Sequence, residues 1–146
     1  MKLKQISLFL ENKPGHLSAV CRLLAENNIN ILTLSLADTE QFGILRLIVE
    51  DWAKTKEVLE RGGNVATVTD VVATEVEDRP GGLAELLAAV QEAGINIEYM
   101  YAFTFRSGGR AIMIFRFDDP DAAIAALQRC GFNVLQGVDL FERAKT

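Results

Sequence analysis

Two short segments of the sequence have the residue types of a binding site for a small anion. They read ENKPGHL at residues 11–17 and EDRPGGL at residues 77–83, and each precedes apolar residues at helical spacing. The first turn of a helix leaves backbone N–H groups unpaired and carries a partial positive charge. Glycine has no side chain to shield those groups, so a carboxylate could approach Gly15 or Gly81 closely.

A ligand that also carries an ammonium group, such as an amino acid, needs oxygen acceptors near the same place. The side chains of Asn12, Asp78, Asn30 or Asn96 could supply them. Each of these residues also has a purely structural interpretation, because Pro-Gly pairs make tight turns and asparagines cap or close them. The residues alone leave both interpretations open.

Patterns for catalysis or metal binding are absent from the sequence. His16 is the single histidine, and no motif pairs a nucleophile with a base. Cys21 and Cys130 form no C-x-x-C pair, and no residues have the spacing of metal ligands. We therefore predict no enzymatic activity, no metal and no cofactor.

Composition and charge limit the partners. The chain has 49% hydrophobic and 24% charged residues, which is typical of a globular protein. Residues 70–146 carry the whole net charge of −5, because acids and bases balance over residues 1–69. An acidic chain is a poor partner for phosphate backbones, so we expect no nucleic-acid binding. The apolar N-terminal stretch is interrupted by Gln5 and Ser7, which argues against a signal peptide, and we expect a cytoplasmic protein with no membrane span.

The two segments belong to an internal repeat with an offset of 66 residues, in which Ile29-Asn30-Ile31 matches Ile95-Asn96-Ile97. Each copy has one apolar stripe at helical spacing after the Pro-Gly pair, and strands with period-two alternation around it. A second helix follows, with Asp51 or Asp119 as its N-cap. The order is β-α-β-β-α-β twice, which predicts an α+β fold of two ferredoxin-like modules. Each module is expected to be a four-stranded antiparallel sheet with two helices on one face, over residues 1–69 and 70–146.

Several details of this prediction can be checked individually. Thr69-Asp70 is a candidate turn between the last strand of the first module and the first strand of the second. The final strand is predicted in FNVLQGVDLFE, residues 132–142, and SGG at 107–109 predicts a tight hairpin. Another turn is predicted in DTEQFG, residues 38–43. In the first module Leu32, Leu34 and Leu36 alternate with polar residues, as in a half-buried strand.

An aromatic row alternates along the second strand of the second module, at Tyr99, Tyr101, Phe103 and Phe105. If Met100 and Ala102 face the helices, this row lies on the open face of the sheet and must pack on the other module or on a second chain. The alternative is the opposite register, in which the aromatic residues face the helices as core.

The repeated motif, [Asn/Asp]-[Lys/Arg]-Pro-Gly-x-Leu followed by a helix and Ile-Asn-Ile, resembles the ACT domain, a small regulatory module of amino-acid metabolism. The resemblance implies a tandem ACT protein that binds an amino acid between adjacent modules, through the loop after the first strand and the start of the second. Carried onto this chain, those positions are Asn12, Lys13, Pro14, Gly15, His16 and Leu17, their second copy Asp78, Arg79, Pro80, Gly81, Gly82 and Leu83, and the strand starts Asn30, Ile31, Asn96 and Ile97. The common acidic position is Asn12 in the first copy, and His16 stands where the second has Gly82. These differences predict that the two loops are not equivalent and that one has lost binding.

We therefore expect a non-catalytic regulatory protein that binds a small metabolite, most simply an amino acid. Resemblance to regulatory modules of branched-chain amino-acid synthesis makes leucine, isoleucine or valine the first ligands to test, and an amino-acid biosynthetic enzyme is the implied partner. A homodimer is expected, because the aromatic row and the sheet edges need covering. Two alternatives are a ligand-free dimerisation module and, less favoured by the charge, an RNA-binding ferredoxin-like domain.

Overall fold

The structure is a computed structural model that describes residues 1–38 and 41–144, with the backbone alone described for residues 38 and 104–107. The chain divides into two compact units, which we call the first unit (Lys4–Thr69) and the second unit (Met1–Leu3 with Asp70–Thr146). Each is described separately below. In the described part of the chain, none of the helices has the length and apolar composition needed to cross a bilayer.

The first unit follows the predicted β-α-β-β-α-β order. Its elements are β1 (Leu3–Glu11), α1 (His16–Glu26), β2 (Thr33–Asp38), β3 (Phe42–Ile48), α2 (Trp52–Arg61) and the first part of β4 (Ala66–Glu77). β3 lies between β1 and β2 and is antiparallel to both, and β1 lies next to β4, so the order across the sheet is β2-β3-β1-β4. The predicted turn in DTEQFG includes Thr39 and Glu40, which lie outside the described residues.

The second unit repeats the order and adds one helix. Its elements are the second part of β4, α3 (Gly82–Glu92), β5 (Ile97–Ser107), β6 (Arg110–Phe117), α4 (Pro120–Arg129), β7 (Val134–Leu135) and α5 (Gly137–Ala144). β4 is antiparallel to β6 and β7, and β6 is antiparallel to β5. The two units confirm the α+β, ferredoxin-like class predicted from the repeat.

The helix ends confirm the capping residues read from the sequence. The Asp51 carboxylate accepts a hydrogen bond from the Lys54 N–H at 3.0 Å, and Asp119 accepts one from the Ala122 N–H at 3.1 Å. Helix α1 is followed by Asn28 at φ 56°, which is a left-handed conformation of the kind that terminates helices. The predicted hairpin also forms, with positive φ at both glycines between β5 and β6.

Each unit has its own core between the helices and one face of its sheet. In the first unit Ile6 and Leu8 of β1 pack with Val20 and Leu24 of α1. In the second unit the core includes Phe115 and Phe117, whose rings stack with centroids 5.2 Å apart. The period-two alternation of the sequence therefore assigned the buried face of these strands correctly.

The strand predicted to be half-buried is β2. Its leucines lie on the helix side of the sheet, but they remain largely exposed to solvent. Leu34 and Leu36 are in register with the buried Leu47 and Leu45, yet 41% and 49% of their surfaces are exposed. The reason is position, because β2 is the edge strand of the sheet and has a neighbour on one side only.

The register predicted for the aromatic row is confirmed. Met100 packs into the helix-side core, so Tyr99, Tyr101 and Phe103 lie on the opposite face. That face is less open than expected, because Phe103 is only 7% exposed and both tyrosines are half-buried. The side chain of Phe105, the last member of the row, lies outside the described residues.

Two predicted boundaries are wrong. The candidate turn at Thr69-Asp70 does not form, and β4 runs as one strand from Ala66 to Glu77. Its residues are largely β-branched, and the Asp70 carbonyl accepts a hydrogen bond from Arg116 Nη1 at 2.8 Å.

The predicted final strand at 132–142 is also wrong beyond Leu135, because residues 137–144 form helix α5. The sequence VDLFERA fits a short amphipathic helix with Asp139 in its first turn and Arg143 in its last, as the helix dipole favours. Leu140 is fully buried, which holds the helix in place. The alternation of Val138 and Leu140 had suggested a strand instead.

Candidate functional site

The two Pro-Gly segments form equivalent connections between a strand and a helix. We call residues 12–17 the first junction and residues 78–83 the second junction. Gly15 has φ 91° and Gly81 has φ 88°, and each is the N-cap of the helix that follows, α1 or α3. This left-handed conformation favours glycine, so each helix begins without a side chain over its first turn.

Backbone N–H groups remain available at both helix starts. At the first junction the His16 N–H donates to the Lys13 carbonyl at 3.3 Å, and the Ala19 N–H donates to the Gly15 carbonyl at 2.9 Å. Between them, the N–H groups of Leu17 and Ser18 have no acceptor among the residues that the structure describes. Together with the positive end of the helix dipole, they make a place where an anion would be stabilised.

The side chains of the first junction leave the helix start open. Lys13 Nζ lies 3.0 Å from Glu11 Oε2 and therefore points back along β1. A hydrogen bond from Lys13 to the carboxylate lowers the pKa of Glu11. Asn12 is held by its N–H, which donates to the Gln41 carbonyl at 2.9 Å, and its side chain is exposed.

A cavity of about 510 Å³ opens beside the first junction. Its lining combines the helix start with polar groups from α1 and from the end of α2. The lining residues are Leu10, Gly15, His16, Ala19, Val20, Arg22, Leu23, Glu26, Gly62 and Asn64. The volume and the mixed polar and apolar lining are suited to a small molecule.

The second junction is crossed by a single side chain. Arg79 Nη2 donates to both carboxylate oxygens of Glu85 at 2.9 Å, and its Nε donates to Glu77 Oε2 at 2.5 Å. Arg79 Nη1 also donates to the Pro80 carbonyl at 3.2 Å. These contacts lower the pKa of Glu77 and raise the pKa of Arg79, since each charge stabilises the other.

The second junction is also tighter in its backbone. A Cβ placed on Gly82 would lie 2.0 Å from the Glu77 carbonyl oxygen, so the start of α3 lies directly against the end of β4. The cavity there measures only about 140 Å³ and is lined by Glu75, Glu77, Gly82, Glu85, Arg110, Gly131, Phe132 and Asn133.

The strand-start residues lie elsewhere in each unit. Asn30 is exposed and Ile31 packs against the first core, and both precede β2. The Asn96 N–H donates to Asp118 Oδ1 at 3.1 Å, and Asn96 and Ile97 line a separate cavity of about 450 Å³. Within either unit, the lining of the junction cavity includes neither of that unit's two strand-start residues.

A charged cluster that the sequence did not reveal lies on the face of the second sheet opposite α3 and α4. Glu75 is only 7% exposed and binds Arg110 Nη1 at 2.9 Å and Arg143 of α5. Burial raises the pKa of Glu75, but hydrogen bonds from Arg143, Arg110 and Asn133 outweigh it, and the net pKa is lowered. The pairing with Arg143 could not be found from the sequence, because the preceding residues 132–142 were predicted to be a strand.

A metal site is not indicated. Within the described residues, no three His, Cys, Asp or Glu side chains come close enough together to hold an ion.

Comparison with known proteins assigns the family. The family model for the ACT domain pair matches residues 1–142 of this chain. The chain belongs to this family. The resemblance read from the repeated Pro-Gly motif is confirmed.

This ACT domain pair is similar to several proteins of known structure. Protein BT0572 from Bacteroides thetaiotaomicron is 38% identical, with 97% of this chain and 96% of that chain covered and a TM-score of 0.90. The regulatory subunit of aspartate kinase from Thermus thermophilus, in its ligand-free form, shares the fold at a TM-score of 0.64, with 24% identity and 88% and 92% of the two chains covered.

A curated relative is, by name, the small subunit of an enzyme. The acetolactate synthase small subunit of Buchnera aphidicola is 32% identical over 79 residues, which are 53% of this chain and 50% of that protein. The ACT pair thus matches about half the length of this relative.

Proposed function

We propose that this ACT domain pair is a non-catalytic regulatory protein that binds a small amino acid at its strand–helix junctions. The observation that carries the proposal is the start of α1, where the N–H groups of Leu17 and Ser18 lack an acceptor among the described residues. Gly15 and His16 of the same junction line a cavity of about 510 Å³. The Buchnera relative is the small subunit of acetolactate synthase, and the Thermus protein is a regulatory subunit of aspartate kinase. Both names support a partner enzyme of amino-acid synthesis.

The chemistry of the first junction matches the two charges of an amino acid. The ligand carboxylate would accept hydrogen bonds from the N–H groups of Leu17 and Ser18, at the positive end of α1. The ammonium would donate to the side-chain oxygen of Asn12, which is exposed beside the helix start. Leucine, isoleucine and valine are the first candidates, since their apolar side chains need no further charged partner.

The test is a thermal-shift screen with each of the twenty common amino acids. A ligand at 100 times its Kd should stabilise the protein by about 2.7 kcal/mol, which is a rise of about 8 °C in Tm for a chain of this size. Gly15→Val should abolish the rise, because a branched side chain would cover the helix start.

The matched control is Gly108→Val, which places the same side chain at φ 60° in the β5–β6 hairpin, where a Cβ meets nothing within 4 Å. It carries similar backbone strain away from the first junction and should leave the rise unchanged. A folded protein that shows no rise with any amino acid would contradict the proposal and favour the ligand-free dimerisation module.

We also propose that the chain forms a homodimer. The aromatic row no longer carries this proposal, because Phe103 is only 7% exposed and both tyrosines are half-buried. The support now comes from the first unit, where Leu34 and Leu36 are exposed on the edge strand β2 and Phe9 is 68% exposed on the other face of the same sheet. Edge strands with exposed apolar side chains are prone to pair with another chain.

A further inference from the structure

We propose that Arg79, Glu77 and Glu85 form an internal clamp that keeps the second junction closed, so that each chain binds one ligand, at the first junction. The inference rests on the proposed function, because it states which of the two repeated junctions carries it. Three differences between the junctions support it, and each concerns a residue at an equivalent position of the repeat.

The clamp joins the end of β4 to the first turn of α3. The Arg79 guanidinium binds Glu85 through two hydrogen bonds of 2.9 Å and Glu77 through one of 2.5 Å. Glu85 lies in the first turn of α3, where a negative charge is stabilised by the helix dipole. Its carboxylate thus takes the electrostatic role that the carboxylate of a bound amino acid would take.

The first junction lacks the parts for such a clamp. At the offset of 66 residues, Lys13 stands for Arg79, Glu11 for Glu77 and Ala19 for Glu85. Lys13 still meets the strand carboxylate, with Nζ 3.0 Å from Glu11 Oε2, but Ala19 offers no carboxylate on the helix. A lysine is also a point charge, whereas the planar guanidinium of arginine can bind two carboxylates at once.

The space at the two helix starts differs accordingly. A Cβ on Gly15 would meet nothing within 4 Å, whereas a Cβ on Gly81 would lie 3.7 Å from Arg79 Nη1. His16 is accommodated at the first helix position, whereas Gly82 at the same position lies against the Glu77 carbonyl. The adjoining cavities measure about 510 and about 140 Å³.

The clamp is exposed to solvent, so it competes with a ligand rather than excluding it absolutely. Arg79, Glu77 and Glu85 have about half of their side-chain surfaces exposed, and each exposed ion pair is weak. Displacing the two pairs together should weaken binding at the second junction by about tenfold relative to an open one.

Exchanging the clamp residues between the junctions tests the inference. L-Leucine, L-isoleucine and L-valine are each titrated calorimetrically into the wild-type chain and into two double variants. We expect the wild-type chain to bind one molecule about tenfold more tightly than a second, the tight site to weaken about tenfold in Lys13→Arg/Ala19→Glu, and the second site to tighten about tenfold in Arg79→Lys/Glu85→Ala. Two equal sites in the wild type, or unchanged binding to Lys13→Arg/Ala19→Glu, would overturn the inference.

A measurement without ligand separates this inference from the proposed function. Hydrogen exchange of the Arg79 Nε–H, followed by NMR, should be several-fold slower than that of Arg22, which is exposed and lies on the outer side of the first cavity. Glu77→Gln should remove the difference. If none of the three amino acids binds any variant while Arg79 is protected, the proposed function fails and the closed second junction stands. If Arg79 exchanges as fast as Arg22, the clamp does not exist and the inference fails.

Discussion

The closest backbone contact at the second junction leads to a stability prediction for Gly82→Ala. Gly82 is the first residue of α3, and an added Cβ would lie 2.0 Å from the carbonyl oxygen of Glu77 in β4. Real Cβ atoms do not approach an oxygen so closely, so α3 must move away from the strand by more than an ångström. Leu86 and Val90 on the same helix are fully buried or nearly so, and their packing would be disturbed by that movement.

The expected change in the free energy of unfolding is the difference between two opposing effects. Overpacking of a well-packed contact costs about 1–3 kcal/mol, and the upper end applies because the neighbour is backbone and cannot rotate away. Replacing glycine by alanine also restricts the unfolded chain, which returns about 0.4–1 kcal/mol. We therefore expect a net loss of about 2 kcal/mol, or about 6 °C in Tm.

Urea unfolding monitored by circular dichroism measures the change, and Gly62→Ala is the matched control. A Cβ on Gly62 would lie 2.5 Å from Leu23 Cδ2, which is the end of a flexible side chain that can change rotamer. That variant should lose less than about 1 kcal/mol. Equal stability of Gly82→Ala and the wild type would show that α3 does not lie against β4 as described.

Two further predictions concern the charged cluster of the second unit and the edge of the first sheet. Glu75→Gln should lower the free energy of unfolding at pH 7 by about 1–2 kcal/mol, since Arg110 and Arg143 are partly exposed and screened. Because the folded-state pKa of Glu75 is lowered, its contribution is full above the ordinary pKa of about 4.3 and is lost as the pH falls through the folded value. The difference between Glu75→Gln and the wild type should therefore shrink as the pH falls below about 4.3 in chemical denaturation, and a constant difference would refute this. If the chain forms the proposed homodimer through β2, Leu34→Glu with Leu36→Glu should halve the mass measured by light scattering, and an unchanged dimer mass would refute the proposed interface.

The sequence predicted the elements of the fold because the signals are local and repeated. The apolar stripes, the caps at Asp51 and Asp119 and the glycines with positive φ each require nothing beyond a few neighbouring residues. The second copy of the motif supplied an independent confirmation of each element. The register of the aromatic strand was also predicted correctly, because Met100 gives it a core side.

The errors occur where distant residues decide the structure. Residues 137–144 have no strong local preference, and the buried position of Leu140 and the ion pair of Arg143 with Glu75 select the helix. Similarly, Asp70 looked like a turn residue, but its backbone pairs within a long strand. Such contacts join residues 46 or 68 positions apart, which period counting over a short window does not detect.

The inequivalence of the two junctions was visible in the sequence, but its cause was not. His16 opposite Gly82 showed that the loops differ. The bridge from Arg79 to Glu85 needs the helix start and the strand end to be placed in space, because a glutamate six residues from an arginine has no fixed relation to it in an extended chain.

The most direct measurement for the whole account is an NMR titration of backbone amides with the amino acid that gives the largest thermal shift. The account predicts that the amide chemical shifts of Leu17 and Ser18 change most and stop changing at one equivalent of ligand. The amide chemical shifts of Leu83 and Ala84 should stay unchanged. If the largest chemical-shift changes occur at the second junction, or at residues distant from the start of α1, the account is contradicted.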